Sequence, residues 1–209
     1  TGRWTFGGNV AKSFDVHIKR SVPGYEEGHD LISKLAPFFI GNDNSKFLEI
    51  GCSTGSLTKK VRQTTERSDV EFIGIDIEEE MISYANENNE FQNCNFQVAD
   101  IKDFEIDNCS IVTSYYTIQF INPSIRQFVI DKIYKSLDWG GAFMFFEKVR
   151  GPDARFHDIL QTLYMEYKIS QGYNEKEIIG KTLSLKGILE PFSSNGNIEM
   201  LKRSGFKDI

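Results

Sequence analysis

Phe47-Leu48-Glu49-Ile50-Gly51-Cys52-Ser53-Thr54-Gly55-Ser56 is the stretch that decides the fold. A compact apolar run at 47–50 stops at a glycine, and a second glycine follows four residues on. Residues 56–65 then place Leu57 and Val61 four apart, a helical spacing. Strand, glycine turn and helix make the first half of a βαβ unit. Glycine at the turn permits a tight bend and close backbone approach to a ligand, although a purely structural turn would need it too. The turn is not a phosphate loop. Ser56 stands where the second glycine of GxxxxGK[ST] belongs, and Lys59-Lys60 come too late. Ser53 replaces the middle glycine of GxGxxG, which disfavours a dinucleotide pyrophosphate.

Outward from this turn the alternation continues. Residues 71–76, 95–99, 110–116 and 142–149 read as strands. Residues 78–88 read as a helix with Met81, Ile82 and Ala85 on one face, and 124–137 as another, opened by Pro123. Gly140-Gly141 punctuates the chain before the fifth strand. This pattern predicts an α/β, Rossmann-like, doubly wound parallel sheet with its ligand beyond the carboxyl ends of the strands.

The flanks have another texture. Residues 1–24 read as irregular, 25–40 as a helix, 153–171 and 174–186 as two long helices, and 198–203 as a third ending at Gly205. The expected organisation is one domain over 1–209: an N-terminal lid at 1–45, a core at 46–149, a helical cap at 150–204 and the start of a sixth strand at 205–209. The fold ordinarily continues with an antiparallel pair, so truncation after Ile209 is expected, leaving an unpaired sheet edge.

Composition narrows the class. With 24 basic and 30 acidic residues the net charge is −6, which argues against a broad basic surface for nucleic acid. Lys59, Lys60, Arg62 and Arg67 read as a solvated helix face. Cys52, Cys94 and Cys109 form no CxxC, which suits a reducing, cytoplasmic location. His17, His29 and His157 form no HxxxH pair, so no metal site is expected. No apolar run nears the ~20 residues that span a bilayer.

Two acids sharpen the ligand. Asp76 ends the second strand, where a carboxylate can accept both ribose hydroxyls of an adenosine; a helix N-cap is the plainer alternative. Asp100 ends the third, where it can accept the adenine amine while Ile101 packs on the ring; it could also be a turn residue. A glycine turn and two acids at consecutive strand ends are the pattern by which Rossmann-like methyltransferases bind S-adenosyl-L-methionine (SAM).

Longer matches are present. Trp4-Thr5-Phe6, Val10-Ala11 and Phe14 stand near the start, and Arg20-Ser21-Val22-Pro23-Gly24-Tyr25 and Gly51-Cys52-Ser53-x-Gly55 are the most specific segments. Gln119-Phe120, Pro123, Arg126, Lys132-Ile133-Tyr134, Leu137, Gly140-Gly141 and Glu147-Lys148 follow in order, then Gly172-Tyr173-x-Glu175-x-Glu177-Ile178 and Lys181. Over nearly the whole chain this resembles the carboxy-S-adenosyl-L-methionine synthase family, of the class I SAM-dependent methyltransferase superfamily.

The resemblance implies SAM or carboxy-SAM as cofactor, prephenate as second substrate, and phenylpyruvate as by-product. The carboxy-SAM would serve a partner enzyme that modifies the wobble uridine of tRNA. It implies a homodimer, with no direct nucleic-acid or membrane contact. Cofactor contacts are expected at Tyr25, Gly51, Cys52, Ser53, Asp76, Ile77, Asp100 and Ile101, with Glu49 and Gly55 framing the turn and Tyr115 ending the fourth strand. Cys52 is expected to contribute backbone and not thiolate chemistry.

Two positions depart from the family. Tyr115-Tyr116 replaces its Asn-aromatic pair, and Met200 stands where its carboxylate-binding Arg belongs. A carboxylate in a partly dry pocket needs a charged donor, so Arg20, Lys202 and Arg203 become the candidates; a gain of carboxy-SAM binding in Met200→Arg would mark a diverged synthase pocket. Three functions remain open at this point: a carboxy-SAM synthase, a methyltransferase for another small acceptor, and a SAM-binding module without turnover.

Overall fold

The computed structural model describes residues 10–41 and 45–209. Trp4-Thr5-Phe6 lies outside them. Five strands, β1 (Lys46–Ile50), β2 (Glu71–Asp76), β3 (Cys94–Val98), β4 (Cys109–Tyr115) and β5 (Leu137–Phe146), form one sheet. Every pairing is parallel and the order is β3-β2-β1-β4-β5. The order reverses at β1, so the crevice at its carboxyl end is the switch point where such sheets bind ligands.

Alternating side chains cover the two faces. Phe47, Phe72 and Ile111 pack with Ile32 of α2 (Tyr25–Leu35), Leu57 and Val61 of α3 (Ser56–Thr64), and Ile82 and Ala85 of α4 (Glu79–Glu87). Leu48, Ile50, Ile75 and Val112 pack on the other side with Val129, Ile130 and Ile133 of α5 (Pro123–Ser136) and with Met200 and Leu201 of α8 (Ser194–Ser204). Each fully buried aliphatic or aromatic side chain contributes about 1.5–3 kcal/mol. The doubly wound α/β arrangement expected from the alternation is therefore present.

Several local expectations need correction. Residues 11–21 are not irregular; they form helix α1 (Ala11–Ser21). Ala11 and Phe14, with Ile18 four further on, lay one face against Met81 and Tyr84 of α4. The expected helix over 25–40 ends at Leu35, and Pro37 sits in a short 3-10 turn, Ala36–Phe38. Strand β5 begins at Leu137, so Gly140-Gly141 lies within it and not before it. Gly140 takes φ 83°, and the register slips between Cys109 and Ile111. A side chain at Gly141 would meet the backbone oxygens of Asp138 and Ser110, both 2.9 Å away. No strand starts at 205: Gly205, at φ 118°, caps α8, and 206–209 are irregular. Edge strand β5 borders a cleft of about 460 Å³ lined by Phe143, Phe145, Leu201 and Phe206.

Two more helices, α6 (Ala154–Ser170) and α7 (Glu175–Ser184), follow β5. Asp153 caps the first, accepting from Phe156 N at 2.8 Å, and Asn174 with Glu177 forms a capping box on the second. Tyr164 Oη donates to Ser21 O at 3.0 Å, and Tyr173 Oη lies 3.0 Å from both Ser21 Oγ and His17 Nδ1. These bonds tie the helices to the end of α1. Among the described residues no helix is long and apolar enough to cross a membrane, and no group of metal-ligating side chains occurs.

Candidate functional site

The site begins at the carboxyl end of β1. Gly51 takes φ 72° and donates to Ile75 O at 2.8 Å; Cys52 N donates to the same oxygen at 3.0 Å. The turn is thereby welded to β2. A side chain at Gly51 would strike Thr117, and one at Gly55 would strike the Phe96 ring. Both glycines are required by space as well as by positive φ. Among the described residues only Ser53 (φ 48°) and Tyr116 (φ 58°) are non-glycines in the left-handed region. They follow the neighbouring strands β1 and β4, and backbone strain of this kind concentrates at ligand sites.

Asp76, at the end of β2, bridges two turns. Its Oδ2 accepts from Ser53 N at 2.9 Å and its Oδ1 from Glu78 N at 3.0 Å. Burial raises its pKa against the opposing pull of those backbone donors. The sequence left a helix cap as the alternative. Asp76 does serve the turn before α4, and it also fixes the glycine turn from the neighbouring strand. Glu49 lies beneath, buried, with Oε2 accepting from Thr58 N at 3.0 Å and Thr58 Oγ1 at 2.5 Å. Burial pushes its pKa up to about 8. It fastens the start of α3 to β1.

Asp100 follows β3 and is only partly covered. Partial burial works against ionisation, but the backbone N–H and ammonium of Lys102, 3.0 and 2.9 Å away, outweigh it and hold the pKa low. Ile77 is 65% exposed, a free apolar surface beside Asp76. Ile101 is instead buried in the core with Met200 and Ile118, so its side chain serves packing.

Tyr25 opens α2 after Gly24 (φ 70°). Burial, then Glu49, Asp15 and Tyr115, raise its pKa, while a hydrogen bond from Ser56 opposes them. The phenol therefore ends at the glycine turn, beside Ser56 and Glu49. Tyr115, 6% exposed, is packed among Tyr25, His29, Tyr116 and Phe146, with centroids 4.7–5.1 Å away. It braces α2. Cys52 is buried and its pKa is raised by burial, which suits a backbone role.

Residues 41–177 match the family model described as a methyltransferase domain. The carboxy-S-adenosyl-L-methionine synthase of Staphylococcus epidermidis is 36% identical over 208 residues, covering 99% of this chain and 90% of that one. The synthase of Campylobacter lari is 37% identical over 209 residues, covering 99% and 88%. The chain belongs to the carboxy-S-adenosyl-L-methionine synthase family. Solved structures agree on the fold. Phosphoethanolamine N-methyltransferase 2 of Haemonchus contortus with S-adenosyl-L-methionine superposes at TM-score 0.65, with 15% identity over 99% of this chain and 43% of that one. The YcgJ protein of Bacillus subtilis gives 0.62, with 16% identity over 86% and 68%. A family of carboxy-SAM synthases with this methyltransferase domain makes the chain a SAM-dependent transferase.

Position 200, where the resemblance implies an Arg, is unusual in this chain. Met200 is 1% exposed in the core. None of the three basic candidates is brought to its place. Arg20 Nε donates to Gln171 O at 3.0 Å, and the guanidinium stacks on Tyr173 at 4.9 Å. Lys202 pairs with Glu199 on the exposed face of α8 at 2.9 Å, and Arg203 Nε donates to Gln127 Oε1 at 2.8 Å. Sequence reasoning missed what Arg126 does. It is buried, and its guanidinium donates to Ile121 O, Glu190 O and Gln119 O at 2.8, 2.7 and 3.0 Å. It clamps the loop after β4; its place among family matches was the only signal.

Proposed function

We propose that this chain converts SAM and prephenate into carboxy-SAM and phenylpyruvate. The observation that carries this is the full-length similarity to carboxy-SAM synthases, joined to a glycine turn held by Asp76 at the switch point. Tyr25, Glu49, Gly51, Cys52, Ser53, Gly55, Asp76, Ile77 and Asp100 are the residues assigned to the cofactor, by side chain or by backbone; Ile101 and Tyr115 support them from behind. The atoms balance without a redox partner. Prephenate loses CO₂ and its ring hydroxyl, the sulfonium methyl loses a proton, and water and the carboxylated sulfonium result. The protein's part is to align the two substrates and keep CO₂ from escaping into water.

The product would feed a partner enzyme acting on tRNA, and this acidic chain would not itself hold the RNA. A cytoplasmic location fits its three free cysteines. A homodimer is supported by exposed Phe156, Ile159, Leu163 and Ile169 on α6 with Ile179 and Leu183 on α7. The test is incubation with SAM and prephenate followed by mass spectrometry. Carboxy-SAM is the expected product; unchanged SAM from protein that binds both ligands would refute the assignment. One observation favours a second reading, methyl transfer to a small acceptor. Met200 is fully buried and neither Lys202 nor Arg203 takes its place, so a plain methyl donor, which lacks the added carboxylate, needs no anchor there.

A further inference from the structure

Two ammonium groups meet over one ring. Lys148 Nζ and Lys168 Nζ each lie 4.7 Å from the centroid of Tyr164. Among the described residues neither makes an ion pair or donates a side-chain hydrogen bond. Lys168 is 8% exposed. Burial lowers the pKa of both, and Lys148 lowers that of Lys168 further. The positive character extends around them. Burial and then Lys168 push Lys181 down to about 7; burial, then Lys181, Lys168 and Arg20, lower His17 against Glu177. Glu177 is itself engaged in the capping box of α7. Lys148 and Lys168, two like charges in a sheltered place without an ion-pair partner among the described residues, are costly to keep charged, and an anion beside them removes that cost.

Their position matters as much as their charge. Lys148 follows β5, and its backbone N–H donates to Gln119 Oε1 at 2.9 Å. Tyr116 N donates to Phe146 O at 2.9 Å, and Tyr116 is among the groups that raise the Tyr164 pKa, after burial, Tyr167 and Tyr173. Thr117 Oγ1 reaches Gly51 O at 3.5 Å. The cluster therefore sits at the carboxyl ends of β4 and β5, one strand beyond the glycine turn. Asp100, Asp76 and Gly51 mark β3, β2 and β1 in spatial order. An adenosine laid along them sends its sulfur toward β4, and a co-substrate must lie on that side.

We propose that Lys148 and Lys168, which share the Tyr164 ring, form the subsite for a carboxylate of the acidic co-substrate. It rests on the proposed reaction for the identity of that acid. Chemistry selects which carboxylate is held. Ion pairing stabilises a carboxylate and so hinders its departure as CO₂. The lysines must therefore hold the side-chain carboxylate that survives in phenylpyruvate, and the ring carboxylate must lie off them. Phenylpyruvate should accordingly bind at the same place as prephenate.

The test is calorimetric titration of SAM-loaded protein with phenylpyruvate and with prephenate, for wild type, Lys148→Met, Lys168→Met and the two Lys→Arg variants. The Met variants should bind both acids about tenfold to a hundredfold more weakly, the loss of a charged hydrogen bond. SAM affinity should stay within about twofold, and the Arg variants should retain most acid binding. Met replaces a buried lysine without leaving a cavity, so Lys168→Met should melt no lower than wild type. Unchanged acid affinity in both Met variants overturns the subsite, as does a wild type that binds neither acid. Lysine-dependent phenylpyruvate binding without carboxy-SAM formation upholds the subsite and refutes the reaction. Carboxy-SAM formation at wild-type KM for prephenate in both Met variants does the reverse.

Discussion

Tyr115 Oη donates to the backbone carbonyl of Tyr25 at 2.7 Å, across 90 positions of sequence. The bond joins the end of β4 to the first turn of α2, whose tyrosine reaches the glycine turn. A side chain at Gly28 would overlap the Tyr115 ring. The position that departs from the family is thus the prop of the element expected to close over the cofactor. Tyr115→Phe keeps the ring packing and loses one bond. It should lower stability by about 1 kcal/mol and weaken SAM binding severalfold through Tyr25. Gly28→Ala should cost about 1–3 kcal/mol by overpacking. Denaturant unfolding and SAM titration check both, and unaltered SAM affinity in both variants would leave Tyr115 a packing residue only.

Asp76 carries a second expectation. Asp76→Asn keeps the size but places an N–H₂ toward Ser53 N or Glu78 N, each of which now donates to a carboxylate oxygen. One backbone donor loses its acceptor and the ribose loses a charged partner. SAM affinity should fall about tenfold to a hundredfold. The same titration on Asp100→Asn should give a smaller loss, because Asp100 is more exposed and already paired with Lys102.

Much of this was legible along the chain because the signals are local. Strands β1, β2 and β4 are apolar runs buried on both faces, and Asp76 and Asp100 announce themselves as the acids that end strands. Helix α1 was not legible, since Ala11, Phe14 and Ile18 mean something only once α4 lies beneath them. Gly140-Gly141 reads as a stop in isolation; in the fold it lets β5 pass close to the Ser110 carbonyl. Lys148, Tyr164 and Lys168 could not be assembled from sequence, because two of them lie on α6 and the third follows β5. Lys202 and Arg203 stand close to Met200 in sequence and Arg20 does not, and hydrogen bonding settles all three elsewhere.

Met200→Arg discriminates between a diverged synthase pocket, which would gain carboxy-SAM binding, and a position that only packs. The buried position favours packing. Met200 packs among Ile101, Ile118 and Leu201, and a guanidinium there would have no partner. The variant should lose on the order of 3–5 kcal/mol, a drop in melting temperature of roughly 10 °C. Thermal unfolding decides it. A stable variant with tighter carboxy-SAM binding would show that α8 can turn this position toward the ligand.

Stability should carry the mark of Glu49. Burial raises its pKa from 4.5 to about 8. A carboxyl whose folded pKa lies above its unfolded one stabilises the fold fully below the unfolded value. That contribution is lost as pH rises through the folded pKa. The loss therefore runs from about pH 4.5 to pH 8, and Glu147, also raised to about 8 by burial, adds to it. His29, lowered to about 4, and Lys181, lowered to about 7, act in the opposite sense, so the wild-type curve alone mixes the effects. Glu49→Gln separates them, because the amide oxygen still accepts from Thr58 and never ionises. Between pH 5 and pH 8 the variant should gain on the order of 2 kcal/mol relative to wild type. Urea unfolding of ligand-free protein at both pH values measures the difference, and parallel curves would mean that Glu49 ionises without cost in the folded state.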